Sequence, residues 1–413
     1  MLTATDFYCG MGGSSTGLVS AGFEVKLAAN HWDRAIETHS ANHPGTEHLQ
    51  ADLTGVDMRY LPRTRALWAS PICTELSPAG GRQRRQPDLF QEYGHVPDAA
   101  FERTRVTFWE VIRAAEIHRY EVVMLENVAE AASWELFDVW LAGMARLGYL
   151  AQFVSVSAAH VAGGGIGQAP QWRDRMYIVL RREGMRPFDL EPRPLARCEK
   201  CGTDVEALQW WKRDGRRIGK YRQQYHYVCP VGNHGIVEPY VTGAAKAIDW
   251  SDPGTRIGDR PRPLAAATMR RIRDGIALLP ADQPVPPLVT VLRRNGTTTP
   301  AATEPAATFT GGGFHHGLVI PFRRGSKPHP PTEPLSTMAT REAHGVLRAN
   351  LNIEDAYFRM LKPREAANAQ AFPGDYIIRG NQGEQQMQAG NAVAVNVAAW
   401  IGERVAAGLG GAP

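Results

Sequence analysis

Several short segments of this sequence carry side chains whose types and spacing suit chemistry. Cys73 lies in Ala69-Ser-Pro-Ile-Cys-Thr-Glu-Leu-Ser77, just past a short apolar run. A thiol there is a nucleophile if a nearby group activates it, and otherwise a packing residue. Glu126 and Asn127 end the apolar run that starts at Val122. A carboxylate at such a strand end is costly unless it has a partner or a task. Arg173 and Arg175, in Gln171-Trp-Arg-Asp-Arg175, precede another apolar run. They face solvent, pair with Asp174, or join Cys73 and Glu126 in one polar pocket. Near the start, Asp6-Phe-Tyr-Cys-Gly-Met-Gly-Gly13 is a glycine-rich turn between a strand and a helix. Such a turn lets a ligand approach backbone N–H groups, although many glycine turns bind nothing.

A second cluster reads Cys198-x2-Cys201-x27-Cys229-x4-His234. The Cys-x-x-Cys-Gly knuckle brings two thiolates to one tetrahedral ion, and structural zinc is the favoured reading. Two surface thiols and an unrelated third are the alternative, and His226 competes as fourth ligand. Trp210, Trp211, Lys212, Arg213, Arg216, Arg217, Lys220 and Arg222 fall inside this span, a basic and aromatic surface suited to nucleic acid.

The elements that must position these groups alternate. Strand-like runs at 3–8, 23–29, 66–70, 121–127, 149–157 and 175–180 are separated by helical periods at 33–42, 106–119 and 134–147. That order predicts an α/β fold with a doubly wound parallel sheet, whose ligands sit at the carboxyl ends of the strands. The first catalytic part spans 1–185. Residues 186–350, rich in Pro, Gly, Thr and Arg, read as an inserted, mainly β or irregular domain. It includes a possible zinc module at 196–236 and an internal repeat at 288–347, offset by about 29 residues. A helix is predicted over 263–279. Helical signal returns at 353–370 and 392–407, so 351–413 should rejoin the first domain.

Lys and Arg total 46 against 42 Asp and Glu, a net +4. This permits a nucleic-acid partner without arguing for one, unless the charge is local. Hydrophobic residues, at 43%, suffice for a sizeable core and exclude wholesale disorder. No apolar run approaches the ~18–20 residues of a membrane span, and the start lacks a signal-peptide pattern. Five cysteines do not make a disulfide scaffold, so a reducing, cytoplasmic setting is expected.

Taken in order, these motifs resemble the DNA (cytosine-5)-methyltransferases of bacteria and phages. Asp6–Gly13 resembles the cofactor motif, and Pro71-Ile-Cys-Thr-Glu-Leu-Ser77 the Pro-Pro-Cys-Gln-x-Phe-Ser nucleophile motif. Glu126-Asn-Val128 matches Glu-Asn-Val, and Gln171–Arg175 matches Gln-x-Arg-x-Arg. Residues 359–373 resemble the helix supporting the recognition domain. Gly390-Asn-Ala-Val393 resembles the late Gly-Asn-[Ser/Ala]-Val motif. The resemblance covers about 1–182 and 353–405, leaving 186–350 as the target-recognition domain.

It implies a Rossmann-like S-adenosylmethionine-dependent fold and methyl transfer to carbon 5 of a flipped-out cytosine in double-stranded DNA, by a monomer. Cys73 is the implied nucleophile. Glu126 contacts ring N3 and the amine, Arg175 contacts O2, Arg173 supports the site, and Asn127 orders the Cys73 loop. Asp6, Tyr8, Gly10, Met11, Gly13, His31, Trp32, Asp52, Leu53, Asn391 and Val393 are the implied cofactor residues. Ser77, Arg82, Arg84, Arg85 and Gln171, with Arg293, Arg294, Arg323 and Arg324 at the repeat turns, are the candidate DNA contacts.

Three positions depart from the family pattern. His31 stands where Glu usually precedes the Trp, Ile72 replaces a Pro and Thr74 replaces a Gln. His31 leaves open a modified S-adenosylmethionine as donor. RNA cytosine methylation and a non-catalytic DNA-binding protein are the remaining rivals.

Overall fold

In the computed structural model, residues 1–71, 98–277, 287–292, 296–320 and 353–410 are described. Seven strands build the main sheet: β1 (Thr3–Phe7), β2 (Glu24–Asn30), β3 (Glu47–Gln50), β4 (Ala66–Ala69), β5 (Val122–Asn127), β6 (Tyr149–Ser157) and β7 (Asp174–Arg182). Their order is β3-β2-β1-β4-β5-β7-β6. The first five run parallel, as the strand–helix alternation predicts. The all-parallel expectation fails at one edge, where β7 is antiparallel to both β5 and β6. The physical reason is the connection: no crossover helix separates β6 from β7, and a parallel pair needs one.

Alternate residues of the central strands enter two cores, because successive side chains point to opposite faces. Trp68, Met124 and Tyr177 pack beneath α1 (Gly13–Ser20) and the late helix spanning Val395–Gly408. Leu67, Val123, Leu125 and Ile178 pack with Phe108, Trp140 and Met144. The last three come from α3 (Asp98–His118) and α4 (Phe137–Arg146). Helix α2 (Asp33–Asn42) follows β2.

The inserted part begins with two hairpins, β8 (Leu195–Cys198) with β9 (Thr203–Glu206), and β10 (Leu208–Trp211) with β11 (Tyr225–Val228). They share a small core of Ala196, Tyr225, Tyr227 and Val237. A second sheet follows, formed by β12 (Thr255–Arg256), β13 (Leu288–Val291), β14 (Thr298–Pro300), β15 (His316–Ile320) and β16 (Tyr357–Met360). Its order is β12-β16-β15-β13-β14. Helix α5 (Ala266–Ala277) buries Ile272 and Ile276 against Leu288, Val319 and Phe358. The first repeat unit thus supplies β13 to β15, while most of the second lies outside the described residues.

The helical reading of 353–370 is corrected. Tyr357–Met360 is a strand, paired with β15 and β12. Besides a single 3-10 turn at Ile353–Asp355, the helices of this part are α6 (Pro363–Asn368), α7 (Gln382–Asn391) and α8 (Val395–Gly408). Phe358 alternates into the core, and Arg359 on the other face bonds Glu365 at 2.7 Å, both buried. No helix among the described residues is long and apolar enough to cross a membrane.

Candidate active site

The glycine turn joins β1 to α1. Gly10 and Gly12 sit at φ +53° and +97°, and Tyr8 also takes a left-handed conformation at φ 60°, which L-residues avoid without a reason. A Cβ at Gly10 would meet nothing within 4 Å, whereas one at Gly13 would lie 2.0 Å from the Val393 carbonyl oxygen. The turn is therefore open above Gly10 and closed behind by the late segment. Tyr376 donates from its hydroxyl to the Met11 carbonyl at 2.5 Å, and the Tyr8 hydroxyl donates to the Thr107 carbonyl at 3.3 Å.

Under the turn, Asp6 is fully buried. Ser14 and Ser15 each donate a hydroxyl to its Oδ2 at 2.6 Å. Burial pushes the Asp6 carboxyl up to about 7 in spite of those bonds. Ser15 Oγ also lies 2.9 Å from His39 Nε2, and His39 Nδ1 lies 2.8 Å from His48 Nε2. This chain of polar groups from the surface to Asp6 escapes sequence reading because its members lie on separate elements; the pair Ser14-Ser15 after the glycines was the available signal.

The other implied cofactor residues gather at neighbouring strand ends. Exposed His31 and half-buried Trp32 follow β2, and the Trp32 N–H donates to Asn30 Oδ1 at 3.0 Å. Asp52 follows β3 and caps the next turn, accepting from the Thr54 N–H at 3.0 Å, with Leu53 buried behind it. Asn391 is exposed and Val393 buried.

At the same edge, β5 delivers Glu126 and Asn127. Arg175 Nε lies 3.0 Å from Glu126 Oε1, with both side chains mostly buried. Asn127 donates from Nδ2 to the Pro71 carbonyl at 3.0 Å and accepts the Val128 N–H at 2.9 Å. Arg173 points elsewhere. Buried, it reaches the carbonyls of Ala392 at 2.5 Å and of Gly390 and Phe309 at longer range. It pins β7 to the inserted domain and the late segment. Gln171, expected on DNA, is fully buried beside Ala306, so it presents no surface to a duplex in this conformation. Cys73, Ser77, Arg82, Arg84, Arg85, Arg293, Arg294, Arg323 and Arg324 lie outside the described residues.

The four ligand candidates of the inserted domain converge. One ligand atom each from Cys198, Cys201, Cys229 and His234 lies within 4.8 Å of the others. Cys201 Sγ is 3.6 Å from Cys229 Sγ and 3.1 Å from His234 Nδ1. The Cys201 N–H donates to Cys198 Sγ at 3.4 Å, the bond expected of a thiolate knuckle. His226 instead pairs across the hairpin with Trp210, so His234 completes the set.

The model of the family "C-5 cytosine-specific DNA methylase" matches residues 2–208 and 295–407. This chain belongs to that family. Among relatives of this methylase, the Type II methyltransferase M.HgiDI of Herpetosiphon aurantiacus is 28% identical over 150 residues, 34% of this chain and 48% of that protein. M.AgeI of Thalassovita gelatinovora is 27% identical over 192 residues, 44% of this chain and 40% of that protein. The chain thus spans about half or less of these relatives' length. Among solved structures, the S. pombe Dnmt2 methyltransferase aligns over 99% of both chains, with TM-score 0.55 and 13% identity. A mutant of Spodoptera frugiperda DNMT2 covers 97% of this chain and 98% of that one, with TM-score 0.54 and 13% identity. At such identity the structures establish the methylase fold, an α/β sheet with an insertion.

Proposed function

We propose that this chain is a DNA (cytosine-5)-methyltransferase acting as a monomer on a cytosine flipped out of double-stranded DNA. The observation that supports this most is the mostly buried Glu126–Arg175 pair beside Asn127, which holds Pro71 two residues before Cys73. Carbon 5 of cytosine is a weak nucleophile. Addition of the Cys73 thiolate to carbon 6 leaves an electron pair at carbon 5. Glu126 bonds N3 and the exocyclic amine, and Arg175 contacts O2, so both stabilise charge developing on the ring. Once that electron pair has been used to bind the methyl group, loss of the carbon 5 proton re-forms the carbon 5–carbon 6 double bond, expels the Cys73 thiolate and restores the aromatic ring. Arg173 acts at a distance, by holding β7 against the late segment.

S-adenosylmethionine supplies the methyl group as a sulfonium electrophile. The open space over Gly10 fits its approach. Asp6, Tyr8, Gly10, Met11 and Gly13 would hold its amino-acid end, Trp32, Asp52 and Leu53 the adenine, and His31 the ribose side. Asn391 and Val393 would close the pocket. Cys198, Cys201, Cys229 and His234 would hold one structural Zn2+. The arginines of 82–85 and of the repeat turns at 293–294 and 323–324 would meet phosphate or bases.

Expression in a methylation-free host, followed by base-resolution cytosine mapping, tests the reading. The expected result is 5-methylcytosine at one short sequence motif, lost on Cys73→Ala. Labelled methyl transfer to tRNA but not to duplex DNA would overturn it. Mass spectrometry of the modified base reports whether His31 goes with a donor group other than methyl.

A further inference from the structure

We infer that the loop between β10 and β11 is a phosphate clamp that grips the DNA backbone beside the catalytic edge of the sheet. The inference rests on the DNA methyltransferase reading above.

The loop is bolted to that edge. Ser155 Oγ donates to the Arg217 carbonyl at 3.1 Å and accepts the Gly219 N–H at 3.1 Å. Gln209 donates to the Ser155 carbonyl at 2.6 Å. The Tyr221 N–H donates to Asp174 Oδ1 at 3.0 Å, and Lys220 Nζ meets Glu130 at 2.5 Å. Ser155 and Asn127 both pair with Met176, from opposite sides of β7. At about 4.8 Å per strand, the anchor is then roughly 10 Å from Asn127.

The anchored side is matched by a charged side. Lys212, Arg213, Arg216 and Arg217 are all exposed. Among the described residues none of them has a carboxylate in ion-pair range. Asp214 is the lone acid of the stretch 212–217. Elsewhere exposed cations are commonly paired, as Arg59 is with Asp57 and Arg193 with Asp189. Half-exposed Trp210, at 52% exposure, stands on the same hairpin. Lys212, Arg216 and Arg217 donate to the backbone carbonyls of Arg222, Ile218 and Arg216 at 2.7, 2.8 and 2.9 Å, which orders the side chains and leaves their charge unneutralised. Four cations without a carboxylate partner on such a support, next to the edge where a flipped base must enter, match the spaced negative charge of a nucleic-acid backbone. The chemistry is a phosphodiester chain rather than a base, since the cations are long and no carboxylate neutralises them. The loop therefore adds affinity without sequence choice.

The test combines Lys212→Gln, Arg213→Gln, Arg216→Gln and Arg217→Gln in the full chain. A control replaces Arg146 and Arg186, exposed at the opposite edge, with Gln. Binding to a duplex carrying the mapped target is measured against salt concentration, together with kcat and S-adenosylmethionine affinity. The clamp predicts about 30-fold or more weaker duplex binding at physiological salt and a log–log salt slope smaller by about 4. kcat at saturating DNA, cofactor affinity and the control should be unchanged. Single Arg213→Gln and Arg216→Gln proteins, each expected to lower the slope by about 1, keep the test decisive if the fourfold variant folds poorly. Unchanged affinity and slope in variants of an enzyme that binds and methylates DNA would overturn the clamp alone. A parent chain that methylates no DNA overturns the underlying reading. Equal loss in the control would assign the effect to net charge and overturn the clamp.

Discussion

The side-chain amide of Asn127 donates to the backbone carbonyl of Pro71 at 3.0 Å, so the end of β5 holds the chain two residues before Cys73. Asn127→Ala leaves a buried carbonyl unpaired, costing about 1–3 kcal/mol. As a positioning change it should lower kcat more than it raises KM for DNA and leave cofactor affinity alone. Trapping the covalent adduct on duplex DNA with a 5-fluorocytosine target checks this, because fluorine cannot leave carbon 5 as the proton does. Adduct formation at the parental rate would show that Asn127 does not act on Cys73.

Arg175→Met leaves the Glu126 carboxylate unpaired in a mostly buried site. Stability should fall by about 3 kcal/mol, and kcat/KM by about 100-fold or more. Glu126→Gln keeps the shape but loses the charge. Its kcat should fall in a similar range while thermal stability stays nearer the parent. Comparing melting midpoints with single-turnover rates separates these two outcomes.

Metal analysis of the purified chain should find one zinc per molecule. Cys201→Ser should lose it and lower the melting midpoint of the hairpins around β8 to β11. S-adenosylmethionine affinity should not change, since the glycine turn lies in the catalytic lobe. Full folding with no bound metal would remove the proposed site.

Two sets of buried groups pull stability in opposite directions as pH falls. Burial lowers His43 to about 4 and His160 to about 3, and it lowers His39 as well. Near neutral pH these rings fold uncharged; below about 6.5 the unfolded chain gains protons that the folded chain refuses. Their contribution is therefore present above pH 6.5 and lost as pH drops toward 4. Asp6, raised from 3.8 to about 7, has the opposite sign. Its contribution is largest near pH 4 and is lost as pH rises to 7. Urea unfolding from pH 4 to 7 should show a steeper acid loss in Asp6→Asn than in the parent, and a shallower one in His43→Asn.

The parallel half of the sheet and the convergence of Cys198, Cys201, Cys229 and His234 were legible from spacing, because period and ligand separation are local signals. The antiparallel β7 was not, since the direction of a strand depends on the connection before it. Strand β16 was hidden for another reason. Tyr357-Phe-Arg-Met is a four-residue strand just before the helical stretch Pro363–Asn368, and its partners β15 and β12 are distant in sequence. Arg173 read as a pocket residue because its motif is shared with Arg175. Only the fold shows that one guanidinium faces Glu126 and the other the Ala392 carbonyl.

The hydroxyl of Tyr376 reaches the Met11 carbonyl across 365 residues of chain. At about 5–20 residues per second, roughly 20–70 s of synthesis separates the glycine turn from the segment that backs it. Over that interval Leu18 of α1 lacks the α8 residues that share its core. The nascent methylase should thus be a late folder, exposed to chaperones and proteases for most of its translation, and its cofactor should protect only the finished chain.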